Sequence, residues 1–214
     1  MKLLTLARDL KRRKARERQH LFVAEGVRAV ESLLASAITV RGALVAPQLL
    51  EAPRGKALRD ALDAKKITIE DVEAKDFGSA AETDSPQGVD AIAEVPTRSF
   101  DQLGADWRGV VVVLDAVQDP GNVGTIVRTA AALGAVCTVA LPGTVDLWNA
   151  KVVRSGMGAH FKHSAFPATW EELDGFRSRS GLDLWTTDSR GDAIGSVKVP
   201  TWLALVVGNE GAGV

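Results

Sequence analysis

The stretch that most constrains this chain is residues 115–135, DAVQDPGNVGTIVRTAAALGA, held between the apolar runs VVVL and VCTVAL. Both runs are short and rich in Val and Leu, and both read as strands. Pro120 and Gly121 break the first run, and Asn122 is a good N-cap residue for a helix starting there. Val123, Ile126, Val127, Ala130 and Leu133 then recur at helical spacing and make one apolar stripe facing a sheet. Gly134 stops the helix. The stretch predicts a β–α–β unit with a polar loop at the C-terminal end of its first strand, which is where open α/β sheets hold ligands.

Arg128 lies about 140° around the helix from Val123, at ~100° per residue, and so points off the stripe. Alone it would read as a solvated helix arginine, and Asn122 as a cap. A second loop changes both readings. In LALVVGNEGAGV a third apolar strand runs into Gly208, Asn209, Glu210 and Gly211. This is a second glycine-rich loop at a strand end. Other nucleotide motifs fail: no G-x-G-x-x-G follows the strand, and no G-x-x-x-x-G-K-[ST] occurs.

A length of 214 residues suits one large or two small domains, and 46% hydrophobic content is ordinary for a chain with a real core. No apolar run reaches membrane-span length and no signal peptide is visible, so a cytoplasmic protein with no membrane partner is expected. Cys137, the single cysteine, lies in VCTVAL and reads as a small buried residue. His160 and His163 are three apart but have no cysteine or acidic cluster beside them, so no metal site is expected and both read as surface or interface histidines. Four of the five tryptophans, all but Trp185, lie outside the predicted strands and leave aromatic surface for packing.

The net charge of −1 hides a polarity. Residues 1–28 hold nine Lys or Arg against three acids, a balance of +6, and the remainder carries −7. The cluster includes Arg8, Lys11, Arg12, Arg13, Lys14, Arg16 and Arg18, and His20 follows it. It reads equally as a phosphate-binding face or as a solvated helix surface. Leu3, Leu4, Leu6 and Leu10 can tether it.

Apolar periodicity gives residues 1–95 the order helix, strand, helix, strand, helix, strand, closed by GVDAIAEV as a further strand. Residues 96–108 are polar and read as a linker. Residues 109–214 read as a second domain, with strands at 110–114, 136–141, 183–187 and 203–207 and helices at 122–133 and 146–154. The architecture expected is a small α/β domain followed by a larger one.

The two loop segments together resemble the SpoU (TrmH-type) branch of the SPOUT methyltransferases. NVGTIVR is similar to the family's first motif and GNEGAG to its second. VVRSGMGAHFKHSAF also looks like the family, and RERQHLFVAEGVRAVESLL with DSPQGVDAIAEV is similar to its N-terminal substrate-binding domain. The resemblance spans nearly the whole chain, and the first motif is its specific part.

What the resemblance implies is transfer of a methyl group from S-adenosylmethionine to a ribose 2′-hydroxyl in RNA, ribosomal RNA rather than transfer RNA, by a homodimer with its sites near the interface. Such a hydroxyl is a poor nucleophile until its proton is drawn away, so two reactants must be positioned and negative charge on oxygen stabilised. Arg128 matches the family's catalytic arginine and would polarise the 2′-oxygen and hold a neighbouring phosphate. Asn122 would orient the ribose, and Glu210 would fix Arg128 or its loop by a charge-assisted hydrogen bond. Gly208, Asn209 and Gly211 would present backbone groups to the cofactor, with Thr187 beside them. Arg12, Arg13, Lys14 and Arg16 would track the RNA backbone, and Arg154 would touch RNA or close an ion pair.

The family fold carries a trefoil knot, which periodicity alone would never suggest. The family's third motif, Ser–Leu–Asn, is absent here, so the protein is expected to continue past Val214, with knot and cofactor pocket incomplete in this chain and S-adenosylmethionine poorly bound. The competing reading is an RNA-binding protein of the same fold without catalysis, against which Asn122, Arg128 and Glu210 all speak. A metabolite enzyme is disfavoured, because a small substrate needs no extended cationic face.

Overall fold

The structure, a computed structural model, describes residues 2–104, 107–188, 190–209, 211 and 213. Helices α1 (Leu3–Leu10) and α2 (Arg13–Gln19) lead into strand β1 (Leu21–Glu25), helix α3 (Val27–Leu34) and strand β2 (Val40–Val45). Helix α4 (Pro53–Ala64), strand β3 (Ile69–Asp71), helix α5 (Ala74–Ala80) and strand β4 (Val89–Glu94) follow. Next come β5 (Gly109–Leu114), α6 (Pro120–Ala132), β6 (Cys137–Ala140) and α7 (Ala150–Ser155). The order ends with β7 (Ala165–Pro167), α8 (Trp170–Ser180), β8 (Asp183–Thr186) and β9 (Trp202–Val207).

By packing, the chain divides into a first unit, Met1–Pro96 with Trp148–Lys162, and a second, Thr97–Leu147 with His163–Val214. Residues 148–162 thus pack with the first unit, although they lie within the stretch read from sequence as the second domain, 109–214. The physical reason is aromatic burial. Trp148 and Phe161 pack on Phe22 of β1, at centroid distances of 4.5 and 6.0 Å. Val152 and Val153 of α7 are buried with them.

The first unit holds a four-stranded sheet, ordered β1-β4-β2-β3. β4 pairs antiparallel with both β1 and β2, and β2 pairs parallel with β3. Leu6, Ala7 and Leu10 of α1 and Phe77 and Ala80 of α5 cover Val23, Leu44 and Ile92 on one face. Val30 and Leu33 of α3 and Leu58 and Leu62 of α4 are buried as well. The basic segment is two helices rather than one. Arg16 is only 6% exposed and donates from Nη1 to Leu10 O at 2.7 Å and Lys11 O at 2.9 Å. It thereby satisfies carbonyls left open where α1 ends.

The second unit holds a five-stranded, wholly parallel sheet, ordered β7-β6-β5-β9-β8. Its core combines alternate residues of the central strands, Val111, Val113, Val139, Ala204 and Val206, with Phe166, Leu173, Phe176 and Trp202. Helix α8 has no counterpart among the elements expected from sequence, and it opens after β7 with a capping box of Thr169 and Glu172. Two tryptophans expected to be available for packing, Trp148 and Trp202, are each 5% exposed.

Helix α6 departs from its sequence description in two details. Its N-cap is Asp119, whose Oδ1 accepts the Asn122 N–H at 2.7 Å, and Pro120 is its first residue. Proline fits there because its missing N–H would have been unpaired anyway. The apolar stripe of Val123, Val127 and Ala130 is buried, but Leu133 is 82% exposed. Leu133 lies past the last helical turn, and the chain turns at Gly134 with φ +77°.

Candidate active site

The order of the second sheet creates the site. From β5 the chain steps outward to β6 and β7, then returns at the opposite side with β8 and inserts β9 beside β5. The direction of winding reverses between β5 and β9, and the crevice at their C-terminal ends is the place such sheets leave open for a ligand. Residues 115–117 and 141–145 follow β5 and β6 there, and 208, 209 and 211 follow β9.

These loops are fastened to one another. Asp115 N–H donates to Val207 O at 2.9 Å, and Asn209 Nδ2 donates to Ala116 O at 2.9 Å. Asn209 Oδ1 accepts the Gly211 N–H at 2.9 Å. Thr144 Oγ1 donates to Leu114 O at 3.0 Å, and Val145 N–H donates to Val117 O at 2.9 Å. Ala116 holds φ +53°, a costly conformation for a residue with a Cβ, and such residues gather at functional sites. A Cβ on Gly143 would lie 3.0 Å from the Ala116 Cβ, so glycine is what lets the two loops meet. Neither Ala116 nor Gly143 stands out in the sequence. The glycine two residues past a strand end is the only signal there.

Arg128 stands exposed on α6, off the buried stripe. Asn122 is exposed in the first turn of the same helix and is not its cap. Six residues separate the two, so helix geometry sets them roughly 9 Å apart along the axis and about 120° apart around it. They do not share one face. Gly208 and Asn209 follow β9 directly, and Gly211 is held to the Asn209 side chain. Thr187 closes β8, its N–H and Oγ1 both donating to Val206 O at 3.0 and 3.1 Å. Glu210 lies outside the described residues.

The predicted RNA-contacting residues separate. Arg12, Arg13 and Lys14 are exposed. Arg12 pairs with Asp9 at 3.7 Å and Arg13 with Glu17 at 2.7 Å. Arg16 is buried as a structural cap, which removes it from any RNA-binding face. Arg154 lies in the first unit, where its Nη1 is 3.9 Å from Glu25 Oε2.

The histidines are not surface groups. His160 is 1% exposed and packs edge-on to Trp148 at 5.7 Å, and His163 is 8% exposed. A Cβ on Gly156 would come within 2.3 Å of His160 Nδ1, so this glycine makes room for the ring. His163 Nε2 is 2.9 Å from Thr138 Oγ1, and burial, helped by the Arg98 charge, pushes its pKa down to about 4. Cys137 is buried, which pushes its thiol up to about 12. Among the described residues no three His, Cys, Asp or Glu gather as a metal site, and no helix is long and apolar enough to cross a membrane.

Comparison with known proteins agrees with this arrangement. Residues 109–214 match the SpoU rRNA methylase family, and residues 5–91 match the MRM3-like substrate-binding domain. The chain is 32% identical over 212 residues to the 23S rRNA (guanosine(2553)-2'-O)-methyltransferase RlmP of Bacillus subtilis, covering 97% of this chain and 79% of that protein. It is 35% identical over 179 residues to the mitochondrial rRNA methyltransferase 3B of Danio rerio, covering 80% of this chain but only 38% of the fish protein. The crystal structure of an AdoMet-bound rRNA methyltransferase from Sinorhizobium meliloti superposes with a TM-score of 0.85 at 26% identity, over 99% of this chain and 79% of that one. With a substrate-binding module, a parallel sheet whose winding reverses at the site, and a relative matched over most of both lengths, the chain belongs to the SpoU rRNA methylase family.

Proposed function

We propose that this chain is an S-adenosylmethionine-dependent RNA methyltransferase that methylates a ribose 2′-hydroxyl in ribosomal RNA. The observation that carries the reading is the β5–β9 crest, tied together by Asn209, with α6 and its exposed Arg128 rising from it. S-adenosylmethionine supplies an electrophilic methyl group on a sulfonium. The crest suits it: Gly143 lets the loops after β5 and β6 meet, Gly208 and Gly211 add no side chains beside Asn209, and the Asn209 ties hold the loops ready before any ligand arrives. Gly208, Asn209 and Gly211 hold the cofactor, with Thr187 at the margin.

Arg128 acts on the RNA. Helical side chains lean toward their helix N-terminus, and for α6 that is the direction of the crest. A guanidinium stays protonated at neutral pH and offers five donors in a rigid fork, which suits a developing oxyanion and an adjacent phosphate. Asn122 orients the ribose from the first turn, and Glu210 keeps the role that its motif implies. The exposed Arg12, Arg13 and Lys14 meet the RNA backbone, because exposed ion pairs are worth only about 0–1 kcal/mol and can exchange for phosphates. The reading includes a homodimer, supported by Trp107 and Trp170, 42% and 41% exposed in the second unit. It also includes action in the cytoplasm, supported by a lone buried thiol that needs no oxidising compartment.

Mapping ribose methylation in total RNA from cells with and without the protein tests the reading. It predicts at least one 2′-O-methyl position in ribosomal RNA that depends on the protein. A dependent site found only in transfer RNA, or only on a base, would contradict it.

A further inference from the structure

We infer that a cleft of about 530 Å³ in the first unit holds one unpaired nucleotide of the substrate RNA, an inference that rests on the methyltransferase reading. Its walls are the β1–α3 turn with Arg28, the start of α4 with Arg54, the loop around Gln87, and the end of α7 with Arg154 and Met157. None of these segments is near another in sequence except through folding.

The walls are tied by hydrogen bonds and close glycine contacts. Gln87 Oε1 accepts the Val27 N–H at 2.9 Å, and Gly26 at φ +93° leaves room for it: a Cβ there would lie 3.0 Å from that oxygen. On the other side a Cβ on Gly158 would come within 2.8 Å of Ser32, so the α7 turn and α3 meet only through glycine. Glu25, buried at the base, accepts the backbone N–H groups of Glu82 at 2.8 Å and Thr83 at 3.1 Å and fixes that loop.

The cleft also carries donors that the fold leaves unused. Three arginines face two carboxylates, Glu25 and Glu31. Arg54 makes a two-bond fork to Glu31. Arg154 Nη1 is buried, sits 3.9 Å from Glu25, and makes no hydrogen bond. Buried donors are nearly always satisfied, so an open one marks a place for a partner. Arg28 is exposed, and its charge acts on Glu31 across the cleft. Beside these cations Met157 presents a 59% exposed thioether side chain, held out by φ +48°.

Guanidinium forks take phosphates, and a polarizable thioether takes the face of a base. A concave site with both is matched by a nucleotide splayed out of a loop, the form in which RNA sequence is usually read, and not by the continuous rod of a duplex. The basic N-terminal helices, with Lys14 exposed beside Arg12 and Arg13, offer a convex surface for the RNA backbone rather than a cleft for a base. Arg8, Arg12, Arg13 and Arg18 each meet a carboxylate, Lys11 is bound to the Ser79 and Ala81 carbonyls, and Arg16 is buried.

The test is fluorescence anisotropy of the full chain with two labelled RNAs, a stem bearing a long unpaired loop and a fully paired duplex. Arg28→Ala is expected to weaken loop binding about tenfold and to lower the log–log salt slope by about one, with little change for the duplex and an unchanged melting temperature. Arg28→Lys should restore the slope but only part of the affinity. A 4-thiouridine loop should crosslink to the peptide carrying Met157. Wild-type loop binding by both Arg28→Ala and Met157→Ala would overturn the cleft assignment alone, as would equal weakening for loop and duplex. A wild-type chain that binds neither RNA would overturn the methyltransferase reading and the cleft with it.

Discussion

The two units gather polar groups at a concave surface by opposite routes. The second unit builds its crest from residues that follow strands directly, so each group is placed by the strand before it. Its polar ties are short and neutral, such as Asn209 to Ala116 O at 2.9 Å and Thr144 to Leu114 O at 3.0 Å. The first unit gathers its cleft from four distant segments and fills it with charge, Arg28, Arg54 and Arg154 against Glu25 and Glu31. The contrast extends to the interiors. The second sheet buries a neutral imidazole, His163, whereas the first buries the carboxyl of Asp90 with no hydrogen-bond partner for either oxygen. Parallel strands give a position-specific site that sequence can announce. Mixed strands give a scaffold on which a site is assembled from afar.

The largest expected effect lies in the second unit. Arg128→Ala should lower methyl transfer by about 10²–10³, the scale of removing one charge-stabilising donor. Being exposed, it should shift the melting temperature by no more than a few degrees. Near-normal single-turnover transfer would remove Arg128 from the chemistry. Next comes acid sensitivity. The folded state holds His163 neutral down to about pH 4, while the unfolded chain takes up its proton near 6.5. Stability is therefore full above pH 6.5 and is lost as pH falls toward 4, by on the order of 3 kcal/mol. Denaturant titrations at several pH values should show a shallower acid loss for His163→Gln.

Asp90 should behave with the opposite sign. Burial, with the nearby Glu25 charge, pushes its pKa well above 3.8 and Lys11 only partly offsets this. The unfolded chain releases that proton above about pH 4 while the folded chain keeps it, so stability falls as pH rises. Asp90→Asn should raise the melting temperature by a few degrees at pH 8 and leave it unchanged at pH 3, measured by calorimetry. An increase at both would mean that packing, not ionisation, is responsible. The smallest effect belongs to the N-terminal helices. Neutralising Arg12, Arg13 and Lys14 together should weaken RNA binding a few-fold and flatten its salt dependence. An unchanged slope would leave those helices as solvated surface.

The parts legible in the sequence are those whose signal is local. The β5–α6–β6 unit can be read because a Val-rich run, a proline–glycine break and a helical stripe are adjacent in the chain. The same holds for β9 and its loop. The short strand β7 and helix α8 escape such a reading, since three strand residues and a polar helix carry little periodicity. Arg16 misleads because a basic run looks solvated, and only the break between α1 and α2 turns one of its members inward. The same limit applies to His160, which needs Gly156 and Trp148 to be buried. Membership of residues 148–162 in the first unit is invisible in the sequence, because aromatic packing across about 130 residues leaves no local pattern.

The most direct test of the central claim is to incubate the protein with ribosomal RNA and S-adenosylmethionine labelled on its methyl group, then digest the RNA and separate the nucleosides. Label is expected in 2′-O-methylated nucleoside with wild-type protein and almost none with Arg128→Ala. Label on a base, or equal label with both proteins, would contradict it.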